Sequence, residues 1–258
     1  MKHPLITLTL IIIMLSIIYK VLGVTKPLET APLMPRQINL TGNIVHFAMP
    51  ENFSRDMPAA DMIETVNLAD KAVYQDAAKF TLIRRWWDFK EGGWFGKEYG
   101  TLMMSLYVKE VPDSLTLDIT DPMNFIEIII DQINKHKTND PMMVNSDYFG
   151  AYKERWFNNQ RWLNYVQGHL NGNTMTILYA VPVSQRTYIV AEFTSAPANN
   201  IGMRYFIDTF TEPFMQQIMA SFKIDYVAGN PVKDAVMKAN SKIPLQQLID
   251  EKIKLMEQ

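Results

Sequence analysis

The apolar patterns along this chain predict an α+β domain, an antiparallel β-sheet with packed helices, preceded by one N-terminal transmembrane helix. Short strand-like runs follow one another across glycine- or asparagine-rich turns, which is the pattern of hairpins rather than of βαβ units. Two longer stretches, Asp121 to Lys137 and Met203 to Phe222, carry helical patterning instead. At the start, Leu5 to Val24 is an almost unbroken apolar run behind Met1, Lys2 and His3. About 20 such residues span a hydrocarbon core of roughly 30 Å.

Lys2 on the short side of that run orients the N-terminus toward the cytoplasm and exports the rest. Lys20 fits near a helix end, where its ammonium reaches the headgroups. The alternative is a cleaved signal peptide, with Leu5 to Ile18 as its apolar centre and Val21-Leu22-Gly23 as the small-residue site. Residues 1–24 are therefore read as a transmembrane anchor or signal peptide. Residues 25–37, with Pro27, Pro32 and Pro35, are read as an extended tether, and residues 38–258 as a periplasmic α+β domain with a C-terminal helical extension.

Within the domain, Asn43 to Met49 and Met62 to Leu68 are short β candidates. Thr81 to Phe89 and Thr101 to Glu110 are stronger, being rich in aromatic and β-branched residues. The connection Lys90 to Gly100, punctuated by Gly92, Gly93 and Gly96, suits a long hairpin loop. Asp121-Pro122 then opens a helix, with an acceptor at the N-cap and a proline where its missing donor costs nothing. Phe125, Ile126, Ile129, Ile130 and Ile133 form its apolar face. Four more strands are expected at Ala151 to Asn158, Arg161 to Leu170, Thr174 to Pro182 and Thr187 to Ser195, with Asn171-Gly172 as a type I′ turn. Met203 to Phe222 reads as a helix bent at Pro213. After Pro244, the residues Leu245, Leu248, Ile249, Ile253 and Met256 give a short amphipathic helix.

Composition narrows the function classes. The 258 residues hold 48% hydrophobic and 20% charged side chains, as a folded domain does. Cysteine is absent, which excludes disulfides, thiolate metal sites and a lipid-modified cysteine. The formal charge is −2, and removing residues 1–24 takes away Lys2 and Lys20 and no acid, so the exported part is more acidic still. That balance argues against nucleic acid as a partner.

Catalytic patterns are not apparent. His3, His46, His136 and His169 lack the i, i+4 pairing and glutamate of a zinc protease helix, and no Gly-x-Ser-x-Gly elbow or Ser-x-x-Lys pair occurs. The glycines at 92, 93 and 96 are followed by a strand candidate, not by the helix N-terminus that a dinucleotide site needs. Asp118 and Asp121 could stand close together, but helix capping accounts for Asp121 more simply. The reading is of a chain that is not an enzyme and uses no cofactor or metal.

One pattern rises above this background. Arg84-Arg85-Trp86-Trp87-Asp88-Phe89 runs into Trp94-Phe95, and Arg155-Trp156-Phe157 with Arg161-Trp162 repeats the theme, so that all five tryptophans fall in two regions. On a strand, Arg85, Trp87 and Phe89 face one way and Arg84, Trp86 and Asp88 the other. Trp and Arg dominate interface hot spots, and a Trp-Phe pair in a glycine-rich loop makes a poor core element. Trp94, Phe95, Arg85, Trp87 and Lys97 are accordingly the expected partner-binding residues, with the loop tip favoured over the strand; the alternative is a double-sided core in which Arg side chains cover the Trp stems and helices pack on both faces.

The opening Ile44-Val45-His46-Phe47-Ala48-Met49-Pro50-Glu51-Asn52-Phe53 resembles the first strand and turn of the PsbP/Mog1/DcrB-like α+β family. Tyr188-Ile189-Val190-Ala191-Glu192-Phe193, with the later Ile218-Met219-Ala220-Ser221-Phe222-Lys223-Ile224, is similar to that family's last strand and helix. The resemblance covers about residues 43–226 and rests on apolar patterns. It implies a binder or scaffold with no shared catalytic site, in a group that includes periplasmic envelope proteins, photosystem assembly factors and bacterial immunity proteins. An anchor in place of a lipidated cysteine and an extension beyond Tyr226 depart from it. The hairpin Arg84 to Gly100 also resembles secretion-associated immunity proteins. The expectation is a single-pass inner-membrane protein with its C-terminal domain in the periplasm. Its partner is then a cognate toxin, such as a type VI secretion effector, blocked by occlusion of its active site. The alternative is an envelope maintenance or assembly factor binding a lipid, peptide or membrane protein.

Overall fold

The computed structural model describes residues 32–258, apart from 52–53, 55–56, 71, 73–78, 92–95, 140–142, 145–151, 170–172, 231–232, 236–243, 245–246, 249, 252–253 and 255–258. The apolar run of residues 1–24 and the Asn171-Gly172 turn lie outside the described residues. Among the described residues no helix is long and apolar enough to cross a membrane.

The fold is α+β, built on two sheets. The larger is antiparallel and has seven strands. Its order runs from β4 (Lys79–Lys90) through β5 (Glu98–Glu110), β10 (Thr187–Pro197) and β9 (Met175–Pro182) to β8 (Gln160–His169). The far side of β8 pairs with both β6 (Met143–Val144) and β7 (Lys153–Phe157). The smaller sheet has the order β11 (Lys223–Asp225), β2 (Asn43–Pro50), β1 (Leu33–Leu40), β3 (Thr65–Val66), with β1 and β3 parallel. Helix α1 spans Pro122–Asn139. A second helical stretch comprises α2 (Met203–Phe206), a π-helical turn (Ile207–Thr211) and α3 (Glu212–Ala220).

Alternation along the strands of the large sheet divides the interior in two. One face turns Trp87, Leu102, Met104, Phe193 and Trp162 toward the small sheet and the second helical stretch, where Phe47, Phe206, Phe214 and Phe222 complete a continuous core. Ring contacts knit these layers: Trp87 meets Phe214 edge-on at 5.0 Å, Trp162 meets Phe222 at 5.5 Å, and Phe47 stacks on Phe222 at 5.2 Å. The opposite face packs Tyr107, Leu163, Leu178, Tyr188 and Val190 against Phe125, Ile126, Ile129 and Ile133 of α1. Leu248 of the C-terminal segment joins this second core.

Local chemistry explains the element ends. Asp121 caps α1, its Oδ1 accepting from the Met123 N–H at 2.8 Å and the Asn124 N–H at 3.4 Å. Asp118 accepts from Thr120 and Gln185, so both carboxylates of this pair serve as hydrogen-bond acceptors at the start of α1. Thr41-Gly42 and Asn158-Asn159 take positive φ and close two-residue hairpins. The Asn158 amide also donates to the carbonyls of Ala220 and Phe222, tying its hairpin to the end of α3.

Three sequence expectations need correction. The tether ends earlier than Gln37, because Leu33 to Gln37 are already β1, paired with His46 to Pro50 of β2. Pro35 is tolerated there because β3 reaches only Asn39 and Leu40, which leaves the proline an open flank. The strand candidate Met62 to Leu68 shrinks to Thr65–Val66. The bend at Pro213 appears as the π-helical turn just before it, a widening that keeps the proline ring off the preceding carbonyls.

Candidate protein-binding surface

The β4–β5 hairpin is the element the sequence singled out, and its stem is closed by a compact set of bonds. The Glu91 N–H donates to the Lys97 carbonyl at 2.9 Å, and the Tyr99 hydroxyl donates to Glu91 Oε1 at 2.5 Å. Lys97 lies 5.2 Å over the Tyr99 ring. The Tyr99 hydrogen bond lowers the pKa of the Glu91 carboxyl, and the same bond raises that of the phenol. Gly96 is required here, since a β-carbon would stand 2.0 Å from the Glu91 carbonyl oxygen. Directly after Tyr99, Gly100 has φ +145° and touches β10, where a β-carbon would meet the Ala196 carbonyl oxygen at 2.4 Å.

Beside this stem the second helical stretch presents aromatic surface. Tyr99 packs on Phe210 at 4.5 Å, and Tyr205, 55% exposed, meets Phe210 edge-on at 6.0 Å. Lys97, Tyr99, Phe210 and Tyr205 therefore form one shelf at the base of the loop that carries Trp94 and Phe95 in the sequence. A rigid stem with an amphipathic aromatic shelf loses little side-chain freedom on docking, which favours binding. Tyr205 and Phe210 were missed from sequence. Their stripe with Phe206 and Phe214 looks like core spacing, and only the packing shows which rings reach solvent.

The five expected partner-binding residues separate. Trp94 and Phe95 lie outside the described residues. Lys97 is exposed at the stem, as a surface residue should be. Trp87 is a correction: it is fully buried against Phe214 and belongs to the core, because its side of β4 is the one covered by the helix. Arg85 is half-buried, and its Nη1 donates to the carbonyls of Ala60 at 2.5 Å and Arg84 at 2.8 Å. Burial lowers its pKa against the opposing pull of Asp61. Arg85 fastens Ala60, which with Ser54 and Ile63 bonds the backbone of Arg84, Trp86 and Leu82 and so covers part of that edge of the sheet. Trp86, on the other face, donates to the Pro58 carbonyl.

The second Arg/Trp cluster stands at the far edge of the same sheet. Trp162 is buried, whereas Trp156 is 47% exposed, with the Arg161 guanidinium 5.5 Å over its ring and its indole N–H donating to Glu154. The two clusters are thus separate surfaces, with β10, β9 and other strands between them.

A polar network lies between α1 and the sheet. Lys79 and Lys109 face each other across β4 and β5. Lys79 sits 3.7 Å from Glu192 and over the Tyr107 ring, and Tyr107 donates to Glu192 at 3.0 Å. Lys109 and Tyr188 both donate to Gln132 Oε1, at 3.0 and 2.8 Å. Desolvation, with Lys79 alongside, pulls the Lys109 ammonium down to about 8. Every titrating member of this network is engaged in holding α1 or the strands. Among the described residues no group of three or more His, Asp or Glu side chains is placed to hold a metal.

No family model matches the chain, and no curated protein is similar to it.

Proposed function

We propose that the chain is a non-enzymatic binding protein, held in the inner membrane by its N-terminal segment and displaying its α+β domain in the periplasm. In its most specific form it is an immunity protein that occludes the active site of an envelope-acting toxin, such as a type VI secretion effector. The observation that carries this reading is the hairpin stem locked by Glu91, Gly96, Lys97 and Tyr99 beside the exposed Tyr205. It is a preformed platform under a loop whose sequence is Gly-Gly-Trp-Phe. Occlusion needs such rigid complementarity and no chemistry of its own. The apolar run of residues 5–24 supports the anchor, and an antiparallel sheet with helices on it is compatible with the PsbP/Mog1/DcrB-like resemblance. The envelope assembly factor remains the second reading, favoured by a small cleft on the far side of the second helical stretch.

The test is co-expression with the periplasmic product of the adjacent gene. The chain should protect the cells. The double substitution Trp94→Ala with Phe95→Ala, and separately Tyr205→Ala, should abolish protection at unchanged protein level and melting temperature. Protection indifferent to all three changes, or turnover of peptidoglycan, phospholipid or peptide by the purified chain, would overturn the proposal. Alkaline phosphatase fused after Pro32, before β1 begins, should be active, and an inactive fusion would reverse the topology.

A further inference from the structure

Contacts between the two sheets fix which end of the domain receives the N-terminal segment. At the β9–β10 turn, the buried Asn43 amide donates to the Val183 carbonyl at 3.3 Å, and Tyr226 donates to the Pro182 carbonyl at 3.0 Å. Asn43 directly follows the Thr41-Gly42 turn, so the β1–β2 hairpin closes at this end, where Thr187 stands opposite Glu110. Leu33, at the start of β1, is therefore at the other end. Two observations on that side agree. The charge of Arg36 acts on Arg85 of β4. Ser54, four residues beyond the Pro50 that pairs with Leu33, donates its N–H to the Trp86 carbonyl at 2.7 Å. Leu33 thus lies at the end where β4 runs into Glu91, β5 begins at Glu98 and β10 finishes at Pro197.

That end also carries the platform. Lys97 and Tyr99 belong to the β4–β5 stem, and Tyr205 follows β10 at the start of α2. Chain length then limits how far the platform stands from the anchor. Only residues 25–32 separate Val24, the last residue of the apolar run, from Leu33. Whatever its conformation, such a link reaches at most about 30 Å. A folded partner of even 100 residues has a radius of gyration of about 13 Å, hence a width comparable with that reach. A partner seated on the platform therefore fills the gap and touches lipid. The exposed charges around the stem and α2 balance, Lys90, Lys97 and Arg204 against Glu91, Glu98 and Asp208, so no excess of positive charge draws the platform itself onto anionic lipid. The occupant is accordingly a protein.

We infer, resting on the anchor and the binding platform proposed above, that the platform is the membrane-proximal end of the domain and that its toxin is a protein that binds the phospholipid bilayer. The toxin is met on the surface it attacks.

Because the chain has no cysteine, one introduced thiol labels one place. Glu98→Cys marks the platform end and Ser114→Cys the opposite end, both at exposed positions. The full chain is reconstituted in vesicles of phosphatidylethanolamine and phosphatidylglycerol carrying a headgroup acceptor dye. About 40 Å of β5 lies between the labels, so energy transfer to the headgroups should be at least about twofold higher from Glu98→Cys. Equal or reversed transfer in chains that float with the vesicles overturns the inference and leaves the anchor standing. Chains that do not float remove the anchor, and the inference falls with it. The toxin of the co-expression test, taken alone, should float with the same vesicles. A toxin that stays behind overturns the inference while leaving occlusion intact. Finally, a water-soluble maleimide should react freely with Glu98→Cys in the vesicles and severalfold more slowly once the toxin is added. Protection before any toxin is present would give this end to lipid and overturn the protein partner.

Discussion

Alkaline pH acts on this protein through two opposing sets of groups, and their signs can be worked from the structure. Lys109 has its folded pKa lowered to about 8 from 10.5, chiefly by desolvation. Between those values the unfolded chain binds more protons than the folded one, so stability rises as pH increases. Full relief of that difference is worth up to about 3 kcal/mol, less whatever solvent reaches the partly exposed amine. Five buried tyrosines act the other way. Burial raises Tyr107, Tyr165, Tyr179, Tyr188 and Tyr226 above their ordinary value of 10.0, with Glu192 adding to the effect at Tyr107 and Tyr165. Above pH 10 the unfolded chain therefore loses protons that the folded chain keeps, and each phenol removes about 1.4 kcal/mol of stability per pH unit. Together they cost roughly 7 kcal/mol per unit, comparable with the whole stability of a typical domain. Stability should accordingly climb by about 1 kcal/mol from pH 8 to near 9.5, where the tyrosines begin to cancel the gain, and collapse above 10. Urea midpoints measured across pH 7.5 to 11.5 test this, and Lys109→Met should flatten the climb and leave the collapse. A midpoint that falls between pH 8 and 9, or a climb that persists in the variant, would refute the assignment of the rise to Lys109.

Other substitutions separate core from surface. Trp87→Ala should cost about 3–5 kcal/mol, as truncation of a fully buried aromatic does, whereas Trp156→Ala should cost no more than about 1 kcal/mol; chemical denaturation reads both. In acrylamide quenching, Trp156→Phe should remove a readily quenched component and Trp162→Phe should not. Gly100→Ala forces a side chain into a positive φ and onto the β10 backbone, so it should lower the melting temperature by several degrees, and an unchanged value would mean that the hairpin can shift. Removing the α1 cap with Asp121→Ala should cost about 1 kcal/mol, and loss of near-ultraviolet signal should track it as α1 loosens from Tyr188.

Much of the fold was legible because its signals are local. The N-cap and apolar face of α1 sit within one stretch of chain, and every residue named for that face is buried. The β4–β5 and β9–β10 pairings follow from alternation plus punctuation. Where the sequence misled, the deciding contact was distant. β1 hides in a proline-bearing stretch because its partner β2 supplies the regularity, and Ile38 and Leu40 are buried by residues far along the chain. The two Arg/Trp clusters read as one theme, yet the strand order sends them to opposite edges.

The sequence by itself determined the class of fold, the hairpin order, and the first helix with its cap. Strand periodicity states that two faces exist, and capping and turn chemistry need only neighbours along the chain. Which face is covered, and by what, was decided by tertiary structure alone. Trp87 is core because Phe214 lies across it, and Trp156 meets solvent because β7 stands at a sheet edge. Arg155 and Tyr179 share a cleft with Asp208 because three strands and a helical turn converge there. Alternation of side chains along a strand carries no information about the element packed on top of it, and that is why these outcomes waited for the fold.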